Sequence, residues 1–407
     1  MSRRAALLFY CQHSLGMGHL VRSLALAAGF AERFRVHFLN GGPLPKGMKL
    51  PAGVELVNLP PLGLDSEGQL VSRDRRRTLT RAQNVRRQII LETYQRTRPQ
   101  VVFIELFPFG RKKFAGELLP LLEATKEARP FRPLVCCSLR DILVGKKSDQ
   151  QKHDERAVRI ANQFFDVVMV HSDPAFARLE ESLMTHASLR SLVYYTGFVQ
   201  PGGPRRPEPG RKREQQILVS AGGGLVGEKL FLTAIEAYPL LKRWCDVGMK
   251  IVTGPFLPDP AWERLRAAAA HHPGLTLKRF VPDLCSEMRA SIASVSQGGY
   301  NTTLDILRAG TPSLVVPFAD GAEDEQLKRA RRLADRGAIR VLEQQELTPS
   351  RLATEMRALL NFNPQSLNLD LNGAANAARK VESLIGVRQR NRVAPPGGAK
   401  KVLEGHP

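Results

Sequence analysis

Short, continuous apolar runs alternate along this chain with longer stretches whose apolar residues fall at helical spacing. In the first half the runs lie at 5–11, 35–40, 54–58, 101–105, 134–138, 166–171 and 192–195. Runs this apolar predict strands buried on both faces of a parallel sheet. Leu20, Leu24, Ala27, Ala28 and Ala31 mark one face of a helix over 19–32. A second alternating set follows at 216–220, 249–253, 275–281, 291–296 and 313–316, with helices over 347–360 and 374–385. The alternation predicts an α/β architecture of two doubly wound, Rossmann-like domains. Residues 201–214, rich in proline, glycine and arginine, read as the linker between a domain at 1–200 and another at 215–387. Residues 388–407 are basic, contain Pro-Pro-Gly-Gly and have no periodicity, which predicts a disordered tail. The halves are similar in kind, without a sequence repeat.

Composition narrows the picture. A chain of 407 residues, 43% apolar, can build two cores. No run approaches the roughly 18 apolar residues of a membrane span. The first apolar run is too short for a secretory core and leads into a glycine loop, so it reads as a strand. Five cysteines, odd in number and without a CxxC pair, point to buried thiols in a reducing cytoplasm rather than disulfides or zinc. The charge is the unusual feature: 60 basic against 39 acidic residues, formally +21. Such a field favours anionic partners, and an arginine-rich helical segment over 72–98 carries much of it. Solvated arginines with no partner are the plain alternative. Aromatic residues make up only 6%, so the basic runs lack the interleaved rings of a nucleic-acid surface.

The densest chemistry lies between 294 and 318. Gln297-Gly298-Gly299 is a turn that lets backbone approach a ligand closely. Asn301 or Thr302 can cap the following helix, Gly310 ends it, and Pro312 forbids its continuation. A glycine turn feeding a helix N-terminus offers free N–H groups and partial positive charge, which suits a phosphate. Gly222-Gly223-Gly224, after the first strand of the second half, allows a loop whose amides face a diphosphate. A tight helix–strand turn is the competing reading. Glu323-Asp324-Glu325-Gln326 follows a parallel strand, where α/β folds place ligands; a solvated loop competes.

In the first half, Gly16-Met17-Gly18-His19 separates the first strand from the first helix. The third glycine of a dinucleotide fingerprint would fall at Val21, and Asn40 stands where an acid is needed, which argues against a nicotinamide cofactor. His19, on the first turn of a helix, meets the positive end of the dipole. Its ring is therefore expected to stay neutral and able to accept a proton, as a general base must. A histidine that merely caps the turn competes. Glu105 ends a strand and precedes Leu-Phe-Pro-Phe109 and Gly110-Arg-Lys-Lys-Phe114. Rings beside three cations suit an anionic membrane surface; an ordinary loop with buried rings fits equally. Arg140 and Asp141 follow another strand, at the position of a cleft-facing loop. Neither a two-histidine spacing nor a DxD run marks a metal site.

The stretch 294–318 resembles the donor-binding C-terminal domain of glycosyltransferases with the two-domain GT-B fold. It is similar to the UDP-N-acetylglucosaminyltransferase that forms lipid II in peptidoglycan synthesis. Over roughly residues 5 to 385 the chain resembles a bacterial set of predicted glycosyltransferases. The resemblance implies that Phe280 and Val281 enclose the uracil, an apolar strand end being the other reading. It implies that Asp305 accepts hydrogen bonds from ribose hydroxyls, in place of the family's longer Glu. Glu325 and Gln326 would read the transferred sugar, and Gly16, Gly18 and His19 would lie on the acceptor side. A carboxylate can take both hydroxyls of a cis-diol, which suits Asp305; a solvated helix residue competes.

The expected object is an inverting, metal-independent glycosyltransferase with no cofactor beyond a UDP-linked sugar as substrate. Its location would be cytoplasmic, peripheral on the inner face of a membrane. The acceptor stays open, and no specific nucleic acid is expected. A sugar-nucleotide 2-epimerase of the same fold, a basic nucleic-acid-binding protein and a silent lectin-like relative are the alternatives.

Overall fold

The computed structural model describes residues 4–393 apart from 14–17, 45–47, 66, 144, 146–148, 201–212 and 319–323. Gly16, Glu323 and nearly all of the expected linker therefore lie outside the described residues, as does the chain beyond 393. The first half runs β1 (Ala6–Cys11), α1 (Gly18–Ala31), β2 (Arg35–Asn40), β3 (Val54–Asn58), a hairpin β4 (Leu62–Leu64) and β5 (Leu70–Ser72), then α2 (Leu79–Thr97) and β6 (Val101–Glu105). It continues through α3 (Ala115–Glu127), β7 (Leu134–Arg140), α4 (Gln150–Phe164), β8 (Val167–His171) and β9 (Leu192–Tyr195). The second half runs β10 (Glu214–Ser220), α5 (Glu228–Lys242), β11 (Gly248–Val252), α6 (Asp259–Ala269), β12 (Leu275–Lys278), α7 (Leu284–Ala290) and β13 (Ser291–Ser296). It ends with α8 (Tyr300–Ala309), β14 (Ser313–Val315), α9 (Glu325–Ala334), β15 (Arg340–Val341), α10 (Pro349–Leu359) and α11 (Gly373–Val393).

Two wholly parallel sheets result, in the order β3-β2-β1-β6-β7-β8-β9 and β12-β11-β10-β13-β14-β15. In each, the chain winds outward from a central strand, returns, and winds the other way. The reversal falls between β1 and β6 in one sheet and between β10 and β13 in the other, and such a switch point opens a crevice at the strand ends. Every residue of β1 and β6 is buried, because helices cover both faces. Phe9 packs edge-on against Phe30 and Phe103, and each such ring stabilises by about 1.5–3 kcal/mol of burial.

The lobes are joined by more than the stretch after 200. Phe198 donates its amide to Asp370 O (2.6 Å) and accepts from the amide of Gly373 (3.0 Å), so two crossings lie side by side. After the second crossing, α11 returns to the first lobe. Ala377, Ala378 and Val381 enter the core built by β1 and α1. Gly29 lets this helix approach, since a Cβ there would stand 3.0 Å from Ala374 O. The expected second domain at 215–387 thus ends in a helix that belongs to the first core. Residues 388–393, expected in the tail, continue that helix. Apolar periodicity across the lobes is invisible to a reading that assigns each helix to its nearest neighbours in sequence.

Two further expectations change. Arg86 in the arginine-rich segment is fully buried, bonded to Glu117 (2.6 and 2.7 Å), Gln12 Oε1 (2.7 Å) and the carbonyls of Gly41 and Pro60. It ties the ends of β1 and β2 together and is not a solvated cation. Phe107, Phe109 and Phe114 are buried in the first core, so the rings of that loop cannot enter a membrane; only Lys112 and Lys113 of the cluster are exposed.

Candidate functional site

The second-lobe crevice is made of backbone. Gly222 and Gly224 have left-handed φ of +56° and +89°. A Cβ on Gly224 would stand 2.1 Å from Thr253 O, so no other residue lets the loop after β10 press on the loop after β11. Gly223 O accepts from the amide of Phe256 (3.0 Å), which locks the two loops together. The loop after β13 lies alongside. Gln297 donates its amide to Ser220 O (3.2 Å) and its side-chain NH₂ to Val226 O (3.1 Å). The two glycine turns are one construction.

Both turns feed helices whose N-termini lack a side-chain cap: α5 from Gly227 and α8 from Gly299. The cap of α8 is thus Gly299, not Asn301 or Thr302, and no side chain among the described residues caps its first turn. A Cβ on Gly299 would meet nothing within 4 Å, whereas one on Gly298 would stand 3.0 Å from Val315 Cγ1. Open space in front of Gly299 and two helix starts without a side-chain cap among the described residues suit a diphosphate.

The remaining donor-side candidates fall unevenly around this point. Strand β12 ends at Lys278, earlier than expected, where its one partner strand β11 ends at Val252 and offers nothing further to pair with. Phe280 is left on a loop, 60% exposed, with half-buried Val281 packed on the core beside it. An exposed ring at a strand end can stack on a base. Asp305 sits half-buried on α8, roughly 7.5 Å along the axis from its start. Burial pushes its carboxyl up to about 6 against the pull of Arg308 at 3.8 Å. Gln326 accepts the Phe318 amide at Oε1 (3.1 Å). Glu325, expected to read the sugar, is instead paired with Arg140 and lies 3.5 Å from Arg329.

The first-lobe crevice is made of buried charge. Glu105, fully buried at the end of β6, takes His19 Nδ1–H at 2.5 Å and Arg22 Nη2–H at 2.8 Å; Arg111 Nε stands at 3.7 Å. Burial alone would raise Glu105, but the His19 ring, Arg111 and Arg22 hold it well below the usual carboxylate range. Burial lowers His19 to about 3 despite Glu105, with Arg111 and Arg22 pushing the same way. The ring is neutral, as expected, though desolvation rather than the helix dipole is the leading cause. A carboxylate on Nδ1–H leaves Nε2 as the basic nitrogen.

The lobes meet at these crevices. Asn301 Nδ2 reaches Gly18 O (3.4 Å), so α8 starts against the start of α1. Arg329 donates to both oxygens of Asp141 (2.6 and 2.8 Å) and to Gly298 O (2.9 Å). Burial would raise Asp141, yet Arg329 and Arg140 keep it lowered and ionised. Arg140 and Asp141 therefore clasp the second lobe. Arg22, Arg329 and Tyr300 were not singled out from the sequence, and Arg111, read there as one of three membrane-facing cations, turns inward to Glu105. Arg22 carries a weak signal, a charge four residues before buried Leu26 and eight before buried Phe30, at the edge of the apolar face of α1; Arg329 is hidden in a basic run. Among the described residues no group of three or more His, Cys, Asp or Glu could hold a metal ion.

Residues 259–385 match the model of the glycosyltransferase family 28 C-terminal domain. The UDP-N-acetylglucosamine–N-acetylmuramyl-(pentapeptide) pyrophosphoryl-undecaprenol N-acetylglucosamine transferase of Syntrophotalea carbinolica is 29% identical over 169 residues, 41% of this chain. The chain spans 45% of that relative's length. Among solved structures, the calicheamicin glycosyltransferase CalG4 is similar over 97% of this chain and all of its own, with TM-score 0.58 and 19% identity. MurG of Acinetobacter baumannii is similar over 95% of this chain and 99% of its own, with TM-score 0.54 and 16% identity. The architecture is the GT-B fold, two facing Rossmann-like lobes.

Proposed function

We propose that this chain is a glycosyltransferase that moves a hexose or N-acetylhexosamine from a UDP-linked donor to an acceptor hydroxyl, with inversion and without a metal. One observation carries the reading. The uncapped start of α8, locked through Gln297 to the glycine turn before uncapped α5, meets across the Gly18–Asn301 contact the helix that carries a neutral histidine held by a buried carboxylate. The amides and helix starts stabilise the leaving diphosphate. Phe280 stacks on the uracil and Asp305 accepts from the ribose. His19 Nε2 takes the acceptor proton as the hydroxyl oxygen attacks the anomeric carbon, and Glu105 stabilises the imidazolium that forms. The glycosyltransferase domain match and the UDP-sugar named for the bacterial relative support the donor class.

The acceptor enters from the first lobe. The formal charge of +21, with exposed Lys112 and Lys113, supports attachment to an anionic membrane surface on the cytoplasmic side. No helix among the described residues is long and apolar enough to cross a membrane.

The test is a thermal-shift screen over nucleotide sugars followed by turnover of the best donor. UDP-sugars are expected to raise the melting point. His19→Ala is expected to lower turnover by roughly 10²- to 10⁴-fold with UDP affinity nearly unchanged. No shift with any nucleotide sugar overturns the reading; unchanged turnover removes His19 from it. Conversion of the donor with no acceptor present, giving an epimeric sugar nucleotide, would assign an epimerase instead.

A further inference from the structure

Tyr300 is carried by the second lobe and buried where the two lobes meet, in a cluster that joins Phe176 and Phe198 to Leu218 and Leu304. It opens α8, directly after the Gln297–Gly299 turn. Its hydroxyl donates to His171 O (2.9 Å), at the end of β8, and accepts from the Val199 amide (3.0 Å) in the crossing segment. Its ring packs on Phe198, with centroids 5.9 Å apart. Two guanidiniums lie over the same ring, Arg22 at 5.3 Å and Arg329 at 5.8 Å.

Those two cations lead to opposite sites. Arg329 holds Gly298 O of the glycine turn. Arg22 holds Glu105 Oε1 and stands 3.3 Å from His19 Nδ1. Arg22 Nε is buried without a hydrogen-bond partner, so the guanidinium is restrained by Glu105 at one edge and by the Tyr300 ring at its face. The negative face of the ring attracts each cation, so the ring ties both guanidiniums to the start of α8.

We propose that Tyr300 is a positioning residue that couples occupancy of the donor turn to the orientation of the His19–Glu105 pair, through Arg22. It touches no reacting atom. A ligand that draws the turn toward itself moves the start of α8, the ring moves with it, and Arg22 reseats Glu105 against His19. The base is then set for an acceptor only when the donor site is filled. This inference rests on the function proposed above.

The test uses the full chain and UDP as the probe. The His19 ring resonances are followed by ¹H–¹⁵N spectra and assigned with His19→Gln. UDP is expected to shift them in the wild type and in Tyr300→Phe, which keeps the ring. In Tyr300→Leu the shift is expected to vanish while the UDP Kd, from titration calorimetry, stays within about threefold. Release of UDP from UDP-N-acetylglucosamine, with water as acceptor, should fall roughly 10- to 100-fold in Tyr300→Leu and be largely retained in Tyr300→Phe. If Tyr300→Leu does not fold, Arg329→Lys takes its place: it leaves Arg22 and His19 intact and should also abolish the UDP-induced shift. A His19 signal that responds equally in the leucine variant, or not at all in the wild type with UDP bound, overturns the coupling. Failure of UDP to bind the wild type sinks the proposed function instead. The coupling is then judged without ligand, by whether Tyr300→Leu alone displaces the His19 resonances relative to Tyr300→Phe.

Discussion

The two sheets reverse direction at equivalent places and fill those places with opposite materials. Between β10 and β13 stand Gly222–Gly224 and Gly298–Gly299, with almost no side chain in the way. Between β1 and β6 stand Glu105, His19, Arg22 and Arg111, almost all side chain and all charged or ionisable. The contrast matches the roles proposed for the two crevices. A diphosphate is bound by amides and dipoles that must come close, so bulk is excluded. A proton acceptor must be held neutral at a defined atom, which takes a buried counter-charge and the cations that keep it ionised. The same topology serves both because a switch point only supplies a gap; the residues decide its chemistry.

The comparison can be broken most severely at Glu105. Glu105→Gln leaves Arg22 and Arg111 without their carboxylate and should cost about 3–5 kcal/mol in denaturant unfolding, far more than an amide swap at a surface. Gly224→Ala attacks the other crevice. Left-handed strain and overlap with Thr253 O should cost about 2–4 kcal/mol and abolish UDP binding, while the His19 resonances stay in place.

Acid sharpens the contrast further. His19 stays neutral in the folded protein down to about pH 3, whereas the unfolded chain takes up the proton near its ordinary value of 6.5. The unfolded state binds more protons throughout that window, so stability should fall as pH drops from about 6.5 toward 3. Lowered Glu105 adds to the loss below its ordinary value of 4.5. Urea unfolding of wild type and His19→Gln at pH 7 and pH 5 reads this, with the variant expected to show the weaker pH dependence. In the second lobe the direction is opposite: the Asp305 carboxyl, pushed up to about 6, loses its charge first. Affinity for UDP should therefore decline as pH falls through 6, and Asp305→Asn should remove that decline.

Gly299→Ala is the mildest change to the fold and the most specific to the ligand. Its Cβ would point into open space and its φ of −62° suits any residue, so stability should change by no more than about 1 kcal/mol. UDP binding should nonetheless weaken about tenfold or more, because that space is where the proposed diphosphate site needs close approach. Equal UDP affinity would mean the glycine serves the turn alone.

How much of this was readable from the chain depends on the distance over which each feature is decided. Val101–Glu105 is a strand because five consecutive residues are apolar or end the run, and the pattern is complete within itself. The glycine turns were legible for the same reason. Helix α8 shows the limit: Asn301 and Thr302 have the chemistry of caps, yet Gly299 caps, because Asn301 instead reaches across to Gly18. Glu325 shows it again, since its partner Arg140 comes from the other lobe. Phe107 and Phe109 could not be told from membrane-facing rings until the core that covers them was in view.

Alone, the chain determined its alternation of buried strands and amphipathic helices, and the glycines its tight turns require. These depend on neighbours a few residues away, and sterics and solvation act there directly. Only the tertiary structure decided that α11 crosses back to the first lobe, that Asp141 meets Arg329 across 188 residues, and that guanidiniums from both lobes lie over the Tyr300 ring. Burial and Coulomb interaction depend on distance in space, and that distance does not exist until the chain has folded.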